Sequence, residues 1–174
     1  GVFRLPESVW KYTALGSSLV GLGLTVVLWQ RFDSASSGMQ LVEFATWIPA
    51  YGIHYSLGID GIALLLVALT SFLLPVVLLA SWTDIHDRTR SYLFFMLALQ
   101  TGMLGAFLSL NLFLFYVFWE LMLIPMYFII GIWGGPRRIY ATLKFFIYTM
   151  VGSLLMLVGI IVLAWLHQAQ FGVP

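Results

Sequence analysis

Residues Leu112–Trp133 read LFLFYVFWELMLIPMYFIIGIW, an apolar run interrupted by one charge, Glu120. Crossing a hydrocarbon core roughly 30 Å thick at about 1.5 Å per helical residue takes around 20 apolar residues, so this run is long enough to span. Glu120 then lies inside the bilayer, where a charge costs about 2.5 to 3.5 kcal/mol on insertion scales. Residues so placed face protein or water and carry ions or protons. The competing reading is a protonated glutamate that only hydrogen-bonds a neighbouring helix and stabilises packing.

The rest of the chain fits a membrane. It is 61% hydrophobic and 9% charged over 174 residues, far from an ordinary soluble domain. The expected class is an all-α integral membrane protein of about five transmembrane helices. The apolar segments are 12–29, 61–82, 92–110, 112–133 and 140–166, forming a single transmembrane domain over 1–174. The first reads as a span and not a secretory signal, because no small-residue cleavage site follows it. Residues 30–60 form a mixed loop on one membrane face, with Trp47, Pro49, Tyr51 and Tyr55 marking an interfacial or short-strand segment. Asn111 is a cap in the tight turn between the third and fourth segments. Gly134-Gly135-Pro136 stops the fourth.

Parity places the N-terminal segment and the loops near 83–91 and 134–139 on one side. That side carries Arg4, Lys11, Arg88, Arg90, Arg137, Arg138 and, just inside the last segment, Lys144, against Arg31 alone opposite. Cytoplasmic loops are enriched in Lys and Arg, so the N-terminal end is expected in the cytoplasm. Asp84 and Asp87 share this side but weigh little in the rule. A net charge of +1 argues against a nucleic-acid partner. The lack of cysteine removes thiol catalysis and iron–sulfur ligation. His54, His86 and His167 fall in loops or at a helix end, so a bis-histidine haem site is not built from this chain, and neither a Rossmann fingerprint nor a P-loop is present. No cofactor is expected on it.

Counting residues sets depth. Glu120 lies about 12 Å from the non-cytoplasmic boundary and about 18 Å from the other, near the midplane. Lys144 is only about 7 Å deep, which leaves a gap of about 10 Å along the axis, too long for a direct salt bridge and suited to an intervening water or polar side chain. Tyr116, Glu120 and Tyr127 share one helical face. Lys144 and Tyr148 share another, with Tyr148 and Thr149 near the depth of Glu120, and Gln100 with Thr101 adds polarity to the third segment. The set Glu120 and Lys144, with Tyr116, Tyr127, Tyr148, Thr149 and Gln100 as accessories, reads as a proton-transfer route. Taken singly, the tyrosines also fit interfacial anchors and the small polar residues fit helix glue. Pro125 either kinks the helix and admits water beside the carboxylate or is merely tolerated. Gly131, Gly134, Gly152 and Gly159 read as close-packing positions.

The stretch FYVFWELMLIPMYFIIGIWGGPRRIYATLKFFIYTMVGSLLML, residues 115–157, resembles the M-type subunit family of proton-pumping NADH:quinone oxidoreductase, respiratory complex I. HYSLGIDGIALLLV, residues 54–67, is similar to the same family, as is most of the chain. WELMLIPMYF, residues 119–128, favours the M type over the L and N types and over the large Mrp-type cation/proton antiporter subunits. The resemblance implies that Glu120 is the family's essential intramembrane glutamate on its fifth helix, paired with a lysine on the seventh. The five segments then look like the second to sixth of about fourteen helices, in a piece of something larger, with the partner lysine and distal half-channel beyond Pro174. Lys144 matches the lysine of the family's KFF motif, which does not by itself make it the partner. Asn111 stands where relatives often carry Asp. The resemblance further implies a proton-translocating subunit coupled to quinone reduction elsewhere, with NADH, FMN, iron–sulfur clusters and quinone in partner subunits, L-type and N-type antiporter-like chains as neighbours, and a bacterial inner membrane as its location. The alternatives are a subunit of an Mrp-type cation/proton antiporter and a structural module without transport.

Overall fold

Apolar residues at nearly every position leave the backbone of the long segments one way to satisfy its polar groups in lipid, the helix. The computed structural model describes residues 6–36, 38–49 and 53–171, so that Arg4, Tyr51 and the tail at 172–174 lie outside them. It contains α1 (Glu7–Arg31), β1 (Gln40–Ile48), β2 (Ile53–Ile59), α2 (Gly61–Ala80), α3 (Thr89–Leu108), α4 (Leu112–Trp133) and α5 (Arg138–Phe171). All five helices are long and apolar enough to cross a membrane, and the chain is a multi-pass membrane protein. The helices extend past the apolar cores where headgroup-level residues continue them. α1 starts at Glu7 and not Tyr12, α3 at Thr89 and not Tyr92, and α5 runs beyond Leu166. Conversely α3 stops at Leu108, because the Leu110 N–H leaves the helix to donate to the Ser56 carbonyl, at 2.9 Å.

The segment expected as a mixed loop contains an antiparallel hairpin. β1 pairs with β2 through Gln40↔Ile59, Glu43↔Leu57, Ala45↔Tyr55 and Thr46↔His54, with a register shift between Gln40 and Glu43. Leu41 sits in that shift with φ 51°, an uncommon conformation for a branched side chain that the bulge imposes. The hairpin covers the α3–α4 turn: Leu57 bridges Ser109, and the Trp47 and Phe113 rings meet edge to face. Asn111 caps α4 as its side chain suggested, accepting from the N–H groups of Phe113 at 2.8 Å and Leu114 at 3.4 Å.

At the other end aromatic and cationic groups bind the helices together. Lys11 donates to the Trp82 carbonyl at 2.7 Å, the Arg90 guanidinium lies 4.5 Å from the Trp10 ring, and Trp133 Nε1 donates to the Asp87 carbonyl at 2.8 Å. Between the ends, α1, α2 and α3 pack mutually around Ala14, Leu74, Leu78, Tyr92 and Leu93. Across α1 and α2 the buried hydroxyls of Thr25 and Ser71 hydrogen-bond at 2.9 Å. α4 packs on α3, and α5 on α4.

Of the glycines expected at close-packing positions, Gly131 meets Thr142 of α5 and Gly134 meets Ile130 and Arg138, but the tightest approach between helices is made by two others. A Cβ on Gly105 would clash with the edge of the Phe118 ring, and one on Gly102 would stand 2.6 Å from Met122 Cγ, so these two set the α3–α4 approach. Nothing lies within 4 Å of a Cβ built on Gly152 or Gly159. Helical small residues permit contact only where a neighbour actually arrives.

Candidate functional site

Gly134 and Gly135 end α4, with the Gly134 N–H donating to the Ile130 carbonyl at 3.0 Å, and α5 begins three residues later. So short a turn fixes the register of the two antiparallel helices. Thr142 of α5 lies beside Gly131 of α4, 3.5 Å from where its Cβ would stand. One turn further in, the Tyr127 and Phe146 rings meet edge to face at 5.4 Å. Continuing in the same register, Tyr116 and Glu120 come opposite Ser153. On α5 the facing residues 142, 146, 149 and 153 follow the four-three-four spacing of one helical face.

Tyr116, Glu120, Ile124, Phe146, Met150 and Ser153 line a hollow of about 490 Å³ between α4 and α5. Glu120 as a residue is half-buried, but its Oε1 is fully buried and has no hydrogen-bond partner. An unpartnered buried carboxylate oxygen costs on the order of 1–3 kcal/mol or more unless a proton or a bridging group satisfies it. Ser153 is buried and donates its hydroxyl proton to the Met150 carbonyl at 3.0 Å. Its oxygen therefore presents lone pairs to the hollow, able to accept from a protonated carboxyl or from a bridging water. Thr142 and Thr149 are engaged in the same way, donating at 2.7 Å to the carbonyls of Arg138 and Phe145.

The residues expected on a proton-transfer route divide into three places. Tyr116 lies with Glu120 in the hollow, and Tyr127 and Thr149 lie on the same α4–α5 seam. Lys144 is elsewhere. It precedes Ser153 by nine residues, about half a rotation round α5 at 100° per residue. It is exposed, with its Nζ 5.9 Å from the ring centres of both Tyr140 and Tyr148. Tyr148 is 72% exposed on that same outer side. Gln100 is buried on α3 and faces α1, its Nε2 without a partner and 4.0 Å from where a Cβ on Gly21 would stand. Gly102 and Gly105, the residues of α3 that approach α4, are on its other side. Ser153 was missed by counting depth. The signal that finds it is register: the tight 134–137 turn pairs Gly131 with Thr142 and, by equal steps, Glu120 with Ser153.

The chain matches two family models, one described as "NADH-ubiquinone oxidoreductase chain 4, amino terminus" over residues 22–106 and one as "NADH:quinone oxidoreductase/Mrp antiporter, TM" over residues 109–171. It is 47% identical over 151 residues to NADH-quinone oxidoreductase subunit M of Rhodobacter capsulatus, which covers 87% of this chain and 29% of that protein. To F(420)H(2) dehydrogenase subunit M of Methanosarcina mazei it is 41% identical over 157 residues, covering 90% of this chain and 32% of the relative. To NADH-ubiquinone oxidoreductase chain 4 of Arabidopsis thaliana it is 43% identical over 150 residues, covering 86% and 30%. The chain thus spans about a third of the length of the curated relatives it matches. A solved structure, the Mrp complex from Dietzia sp. DQ12-45-1b, superposes on 97% of this chain and 20% of its own with a TM-score of 0.69 at 19% identity, which establishes likeness of fold. The helical membrane architecture, the two consecutive family matches and the subunit M relatives agree: the chain belongs to the subunit M (chain 4) branch of the NADH:quinone oxidoreductase/Mrp antiporter membrane family.

Proposed function

We propose that this chain forms part of a proton-translocating membrane subunit of NADH:quinone oxidoreductase, in which Glu120 takes up and releases a proton within the bilayer. The observation that carries the proposal is the buried, unpartnered Glu120 Oε1 in a hollow within the α4–α5 seam. Tyr116 supplies a hydroxyl donor and Ser153 an acceptor on opposite sides of the hollow, so a proton leaving or reaching the carboxyl has hydrogen-bonding neighbours there. Lys144, on the far side of α5, takes no part in this step.

Quinone reduction in other subunits drives the exchange by changing the charge near Glu120, since an approaching cation favours the ionised carboxylate and its withdrawal the neutral one. NADH, FMN, iron–sulfur clusters and quinone belong to those partners, among them L-type and N-type antiporter-like chains. Supporting this, relatives named for NADH and for F(420)H(2) are alike over the same stretch of this chain, as expected if the electron donor is handled elsewhere. We place the subunit in a bacterial inner membrane with the Lys11, Arg88, Arg90, Arg137 and Arg138 end towards the cytoplasm. The antiporter alternative rests on a likeness of fold at 19% identity and on a family model whose description names both systems, whereas the relatives at 41–47% carry oxidoreductase names.

The test is Glu120→Gln in the intact complex. Loss of pumping with assembly preserved supports the proposal. Normal pumping with normal assembly reduces Glu120 to a packing residue and leaves the structural-module reading standing.

A further inference from the structure

Three of the eight Lys and Arg residues of the chain line one hollow, separate from that of Glu120. Arg137, Arg138 and Lys144 surround a space of about 570 Å³ where α4 ends and α5 begins, walled by Ile130, Tyr140 and Phe145, and no carboxylate lines it. Arg137 and Lys144 are exposed and lie outside the α4–α5 seam. The Arg138 Nη1 donates to the Ile132 carbonyl, which holds the guanidinium against the end of α4 and leaves its other N–H groups available. Lys144 is held between the rings of Tyr140 and Tyr148 at 5.9 Å from each. Cations gathered without a counter-charge repel one another, and an anion among them relieves that repulsion.

We propose that this hollow binds the phosphate of an anionic phospholipid. The chemistry shared with a free phosphate is the oxyanion, which arginine binds through paired N–H groups and lysine as a point charge. The lipid is favoured by the walls. Arg137 and Arg138 lie where α5 begins, and Ile130, Phe145 and the apolar stem of Lys144 continue the hollow along the two spanning helices, which suits a molecule with a charged head and an apolar tail. This assignment gives Lys144, which faces away from Glu120, a partner of its own, and it does not depend on proton transfer.

The experiment uses the intact complex in nanodiscs of phosphatidylcholine doped with a photoreactive phosphatidylglycerol, with labelled peptides identified by mass spectrometry. Labelling within 130–145 is expected, displaced by unlabelled phosphatidylglycerol but not by added phosphatidylcholine or by inorganic phosphate. Arg137→Gln and Lys144→Gln should each reduce it about fivefold, the weight of one interfacial cation on an anionic lipid, and Lys144→Arg should retain it. Assembly of each variant is checked by native gel, and the two glutamine variants give independent readings. Displacement by phosphatidylcholine would overturn the proposal in favour of ordinary boundary lipid. Displacement by inorganic phosphate would overturn it in favour of a soluble anion, and labelling indifferent to both substitutions would overturn it outright.

Discussion

At the scale of the residue, the arrangement at Glu120 is a matter of which atoms can donate and which can accept. Ser153 spends its proton on the Met150 carbonyl, so it meets the hollow as an acceptor. Replacing it by alanine removes that acceptor and adds no bulk at a buried position. Ser153→Ala is expected to slow pumping about fivefold, the value of one hydrogen bond near 1 kcal/mol, without loss of assembly. Proton uptake by the reconstituted complex measures this, and an unchanged rate would remove Ser153 from the path. The place of Glu120 inside a spanning helix was legible from its neighbours in sequence, since an apolar run of that length leaves the backbone little besides a helix. Ser153 was not, because a serine in a spanning helix is ordinary and only the partner it faces makes it notable. Lys144 presents the reverse case: its charge drew attention, but direction around α5 and not depth decides what it meets.

At the scale of the element, the spans were readable because lipid permits little besides helix, and the cap at Asn111 and the stop at Gly134 were readable because their chemistry is local. The hairpin was legible only as strand-like aromatic character. Its pairing joins residues from five to 19 apart in the chain and depends on the α3–α4 turn that it covers. The packing glycines were least legible, since Gly102 and Gly105 look no different from Gly152 until α4 is laid against α3. Gly105→Ala is predicted to push α3 from α4 at Phe118 and to cost about 1–3 kcal/mol, as overpacking does in a filled interior. Thermal unfolding of the solubilised complex tests it, with Gly152→Ala as the comparison expected to cost far less. Equal losses from the two substitutions would contradict the packing described.

At the scale of the molecule, five helices alternate between two unlike ends. One carries the hairpin and the α3–α4 turn, and the other carries tryptophans and cations bound to one another. The orientation proposed from this asymmetry predicts labelling in a chain without native cysteine. In right-side-out vesicles a membrane-impermeant maleimide should react with Ser36→Cys and not with Thr83→Cys. The opposite pattern would invert the chain. Which face of α5 meets α4 was not legible in the sequence, for apolar residues surround α5 on every side while it packs on α4 along one. The measurement that bears most directly on the whole account is the proton-to-electron ratio of the intact complex in sealed vesicles carrying Glu120→Gln, beside an assembly check. The account predicts a fall in protons moved per electron with the complex fully assembled. An unchanged ratio would contradict it.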